Sequence, residues 1–174
     1  MLSFNNSRDF YAKLLAEFDD FMAQQDSPRH AMNCAITAYH VHDWVWNDFV
    51  KRDSALRATL GIGSKKHEFA EWIVHKGSIW FSLVGEIANG SKHFGRGTSF
   101  RDPLVNDYVE AGYVEPGYLA SYFAIDQGEH VIDARYMPLS SLFEVVIRFW
   151  RDFFRFYSPY KDDLPVGKTQ LSEP

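Results

Sequence analysis

The chain has 174 residues, a length suited to one domain, and its 46% hydrophobic and 24% charged residues exclude a disordered or low-complexity chain. The longest uninterrupted apolar run, Tyr122 to Ile125, is too short for a membrane span. The net charge of −5 is spread evenly, with 9 basic against 11 acidic residues over 1–87 and 9 against 12 over 88–174, which disfavours a broad nucleic-acid surface and leaves room for a local basic segment.

Aromatic residues are abundant, 15 Phe, 9 Tyr and 5 Trp, enough for a sizeable core. The single Cys34 makes no intramolecular disulfide, and the leading MLSFNNSRDF has neither a basic lead nor an apolar signal core, so a bacterial-type cytoplasm is the expected location. No repeat divides the chain.

Five helices are expected. Ser7 is a candidate cap for the first, from about Arg8 to Gln24, with Phe10, Leu14, Phe18 and Phe21 at helical spacing. Ser27 and Pro28 open the second, which runs to about Lys51. A short turn over 54–60 ends at Gly61 and Gly63, and Ser64 caps a third helix ending near Gly77. Ser78 opens a fourth, which stops at Asn89 and Gly90. The period then changes to alternation. Residues 118–137 are predicted to form a β-hairpin turning at Gln127 and Gly128, with a third strand near 105–114. The last helix spans Leu139 to about Tyr157, followed by a tail over 158–174 expected to be mobile or loosely packed. The predicted fold is therefore α+β, mainly α: one antiparallel helical bundle over 1–157 with an inserted hairpin or small meander before the last helix.

Two polar stripes interrupt this pattern. On helix two, His40, Asp43 and Asn47 follow the i, i+3, i+7 spacing that aligns side chains, and Asp43 and His42 fall inside the apolar face. A carboxylate there needs a partner. It either orients a histidine or ties neighbouring helices together. On helix four, Ser82, Glu86, Asn89 and His93 share a side, and a glutamate near a histidine suits general acid or base work. Lys92, Arg96 and Arg101 beside them make a local anion-binding segment.

Elsewhere, His67, Glu71 and His75 lie at spacings of four, but the order HEFAE departs from the zinc-protease pattern, and neither a metal site nor a cofactor is expected. Arg148, Arg151 and Arg155 with Glu144 and Asp152 read as a salt-bridged solvent face. GIGSKK, Gly61 to Lys66, looks phosphate-friendly without the full P-loop spacing.

The strings AYHVHDWVW, Ala38 to Trp46, and IANGSKHF, Ile87 to Phe94, resemble a family of uncharacterised bacterial and phage-associated helical proteins. More distantly, Asn89 and His93 near the end of a late helix resemble the HEPN superfamily, although no arginine shortly precedes His93 as it does the histidine of HEPN ribonucleases. The resemblance implies a bundle, often dimeric, and an RNA-directed protein that is a divergent or inactive ribonuclease. His93 would then be the acid or base, with Asn89 and Glu86 positioning it. Lys92, Arg96 and Arg101 would bind phosphate, and His40, Asp43 and Asn47 would form a ligand-binding stripe. The competing expectation is a non-catalytic homodimeric scaffold built on surplus aromatics, and a histidine-carboxylate metal protein is a third.

Overall fold

The computed structural model describes residues 4–77, 79–90 and 139–171. The hairpin expected at 118–137 and the strand near 105–114 lie outside the described residues. Among the described residues there is no strand, and the architecture is helical: α1 (Ser7–Ala23), α2 (Pro28–Val45), α3 (Ser54–Leu60), α4 (Lys66–Gly77), α5 (Ile79–Gly90) and α6 (Leu139–Tyr157). No helix among them is long and apolar enough to cross a membrane.

The helix starts obey local chemistry. Asn6, rather than Ser7, caps α1, its side chain accepting from the Asp9 N–H at 2.8 Å. Ser7 is fully buried and serves a tertiary bond instead. Ser27 caps α2 with Pro28 at the first helical position, where a missing N–H costs nothing. The segment expected as a turn over 54–60 is the short helix α3, capped by Asp53 and stopped by Gly61 at φ +70°, a left-handed conformation that glycine adopts without a Cβ clash. α4 starts just past Ser64: Lys65 donates its backbone N–H to Glu68 at 2.9 Å.

The second helix does run to Val50, but its last part, Trp46–Val50, is a wide turn in which Lys51 N–H reaches back to the Trp46 carbonyl at 2.9 Å. The extra residue in that turn rotates the side chains beyond it, a geometry that recurs at functional sites.

α2 is central, packing against α1, α5 and α6. Lys13 bonds Thr37, Phe10 stacks on Trp44 and Ser7 bonds Asp48, so α1 and α2 are antiparallel. Tyr39 packs at Gly85 while His42 meets Phe81, which makes α2 and α5 antiparallel too. A Cβ at Gly85 would stand 2.7 Å from the Tyr39 ring, so this crossing requires glycine. α6 closes the core. Phe21 meets Phe143 and Tyr11 meets Phe154, and Phe69 contacts Trp46, Trp72 and Phe153. Buried aromatics of this kind each remove a large apolar area from water and dominate core energetics. Of the ion pairs expected on a solvent face of α6, Arg148 with Glu144 at 3.5 Å is mostly buried, each side chain being about a fifth exposed, and Arg151 with Asp152 at 3.0 Å is the more open.

The tail is held rather than loose over its described part. Asp19 accepts the backbone N–H groups of Lys168 at 2.9 Å and Thr169 at 2.7 Å, and Arg8 pairs with Asp163 at 3.0 Å. Burial works against the Asp19 charge, but the Thr169 and Lys168 donors win and hold its carboxyl below the usual range.

Asp48 ties three segments. Its Oδ2 accepts from Ser7 N–H at 2.9 Å, Ser7 Oγ at 2.7 Å and Tyr160 Oη at 3.0 Å. Replacing it strands buried donors, so Asp48→Ala should cost about 2 kcal/mol and Tyr160→Phe, which removes one bond only, about 1 kcal/mol. Urea unfolding of both variants measures this. Equal losses, or none for Asp48→Ala, would refute the shared role.

Candidate functional site

α2 carries its polar residues along one edge because its other sides are buried: Cys34, Ala35, Ala38, Val41 and Val45 are all inaccessible to solvent. On that edge Asp43 gathers three nitrogens. His40 Nδ1 lies 2.9 Å from Oδ2, His42 Nε2 lies 3.1 Å from Oδ1, and Lys66 Nζ from α4 makes close contact with Oδ1. His42 and Lys66 thus converge on the same oxygen, while His40 takes the other. Burial acts to raise the Asp43 carboxyl, and the contacts from His42, Lys66 and His40 outweigh it, holding the group well below the usual carboxylate range.

The two histidines differ. His42 is buried among Tyr39 and Phe81, with Nδ1 facing the Tyr39 carbonyl and Nε2 facing Asp43, so both nitrogens are occupied. His40 is oriented by Asp43 through Nδ1 alone, its side chain is 30% exposed, and its Nε2 has no partner among the described residues. An imidazole held at one nitrogen by a carboxylate and open at the other is the arrangement used to move a proton.

Next to Asp43 the surface opens into a cleft of about 440 Å³ lined by Asn5, Asn6, Asp43, Trp44, Asn47, Asp48 and Arg52. Asn47 donates Nδ2 to the Asp43 carbonyl at 2.9 Å, placing the third member of the sequence stripe at the cleft. Burial and the Asp48 carboxylate that accepts its hydroxyl push Tyr160 up to about 12.

The structure thus brings His40, Asp43 and Asn47 together. Glu86 is half-buried and Asn89 exposed on the last turns of α5, and His93, Lys92, Arg96 and Arg101 lie outside the described residues. The register of Tyr39 with Gly85 and His42 with Phe81 places Asn89 toward the N-terminal end of α2, away from Asp43. His67 and His75 are exposed on α4, and no group of three metal-ligating side chains occurs among the described residues. Spacing does not single out Lys66 as a ligand, although the GIGSKK string ends on it, and Asp48 and Arg52 carry no signal in the sequence.

The Asp43 cluster makes stability depend on acidity. The folded group binds its proton less readily than the unfolded one at its ordinary value of 3.8, so the contribution is full above that value and is lost as pH falls below it. The stability gap between wild type and Asp43→Asn should shrink as pH falls below 3.8, as read by thermal unfolding against pH. A gap that grows on acidification would show that Asp43 is not held ionised by its neighbours. Comparison of the chain with protein-family models, curated proteins and solved structures gives no match.

Proposed function

We propose that the chain is an RNA-directed helical-bundle protein, HEPN-like in build, whose acid or base is His40. The observation that carries this reading is the His40–Asp43 pair at 2.9 Å, with Nε2 unpartnered among the described residues and the Lys66 ammonium on the other oxygen of the same carboxylate. Asp43 is a positioning residue: it fixes the imidazole and leaves Nε2 to exchange a proton with a ribose hydroxyl or a departing oxygen. Lys66, half exposed, contacts the phosphate. Glu86, Asn89 and His93, the set suggested by the HEPN resemblance, are the competing assignment for the same chemistry.

Incubating purified protein with end-labelled single-stranded RNA in chelator separates them. His40→Ala should lower cleavage by roughly 100-fold or more, the usual contribution of a positioned acid or base, with His93→Ala unchanged. Loss in His93→Ala alone would move the chemistry to the late helix. Equal cleavage by every variant, or none by wild type, would overturn the catalytic reading.

The second reading, a non-catalytic homodimer, is favoured by Phe156, which is 77% exposed at the end of α6 beside Tyr157. Large apolar side chains left in water at one spot mark interaction surfaces. Light scattering at micromolar concentration should then give twice the chain mass, falling to the monomer in Phe156→Asp. A wild-type monomer throughout would refute it.

A further inference from the structure

The cleft beside Asp43 keeps polar groups that the fold does not use. Among the described residues, Asn47 engages Nδ2 on the Asp43 carbonyl and leaves Oδ1, whereas Asn6 engages Oδ1 on the Asp9 N–H and leaves Nδ2. The Asn5 side-chain amide and the exposed Arg52 guanidinium have no polar partner among the described residues. Trp44 lines the same opening, half-buried, with Phe10 stacked on it at 4.8 Å and 13° so that the indole is fixed in place. The two carboxylates of the cleft are engaged, Asp48 by Ser7 and Tyr160 and Asp43 by His40, His42 and Lys66.

These groups suit one kind of ligand. Carboxamides that present a donor and an acceptor within one opening match the edge of a nucleobase. An immobilised indole supplies a stacking surface that any base accepts. A solvent-facing guanidinium suits a phosphate, and Arg52 lines the cleft itself, which Lys66 does not. The volume, about 440 Å³, falls in the range of small-ligand pockets.

We propose that this cleft is a subsite for a single unpaired nucleotide, with its base against Trp44 and the Asn47 and Asn6 amides and its phosphate on Arg52. The inference rests on the RNA-directed reading and supplies its substrate class: single-stranded RNA, whose unpaired bases are accessible, rather than duplex. His40, one helical turn from Asp43, would then face the neighbouring linkage of the bound strand.

Binding is measured apart from cleavage by fluorescence anisotropy of a labelled ten-nucleotide RNA, with His40→Ala as the parent protein. Asn47→Ala and Arg52→Ala combined should weaken binding about tenfold or more, because both an amide contact and a phosphate contact are lost. Lys51→Ala, exposed beside Arg52 but outside the cleft, should change it less than about twofold. A duplex of the same sequence should bind more weakly, and a mononucleotide should compete where inorganic phosphate does not. Undiminished binding by the double variant, no binding by the parent, or equal competition by phosphate would overturn the subsite. Weakened binding in a protein whose wild type fails to cleave keeps the subsite and removes the catalytic role of His40. Cleavage with binding unchanged in the double variant does the reverse.

Discussion

Burial of α2 on three sides is the constraint on which the rest of the structure depends. Small residues at Ala31, Ala35 and Ala38 face the core, and Gly85 lets the Tyr39 ring lie against the α5 backbone, so the helix is enclosed by α1, α5 and α6. An enclosed helix has only a narrow edge for polar groups, and a carboxylate at such an edge must find donors or lose its charge. Asp43 finds them on its own helix and on α4. Asp48, displaced by the wide turn over Trp46–Val50, finds Ser7 and Tyr160. Two acidic residues of one helix thereby fasten α4, the start of α1 and the C-terminal segment to the centre of the bundle.

The two carboxylates are satisfied by different kinds of partner. Asp48 accepts from neutral groups, a backbone N–H, a serine and a tyrosine, which keep the same charge across the ordinary pH range. Asp43 is met by two imidazoles and an ammonium. Only the second set changes its interactions when a charged ligand arrives or a proton is exchanged. The Asp48 group is therefore a fastening, and the Asp43 group is a fastening whose outer members face solvent.

The elements legible in the sequence are those that periodicity encodes. α6 is read at its true bounds because its apolar residues, from Leu142 and Phe143 through Phe154, recur on one side over nineteen residues. α1 is found from the same signal, while its cap moves by one residue, since Asn6 and Ser7 are both good caps and tertiary burial of Ser7 decides between them. The wide turn ending α2 leaves no mark in the periodicity, because a single inserted residue shifts the pattern only over its last turn, where Phe49 packs against Phe153 and Phe154. The stripe of His40, Asp43 and Asn47 is legible because it lies on one helix. Lys66 is not, because its place depends on how α4 docks. The fastening of the tail is hidden for another reason: Asp19 takes backbone N–H groups, which every residue but proline has.

A group that both fastens a fold and orients a reactive side chain resists simple interpretation by substitution. Removing Asp43 leaves Lys66 and the buried His42 without their carboxylate, so a loss of activity in that variant mixes unfolding with misorientation. Removing His40 spares the Lys66 and His42 partners of Asp43 and deletes only a partly exposed ring whose Nε2 has no partner among the described residues. The same reasoning separates the cleft from the bundle: Asn47 and Arg52 are exposed, and their side chains bond no other helix among the described residues. Asn47 and Arg52 are thus the cleft residues whose loss the fold tolerates best, unlike Asn6, which caps α1, and Trp44, which stacks on Phe10, so chemistry and stability at this edge of α2 are separable by choosing the side chains that point outward.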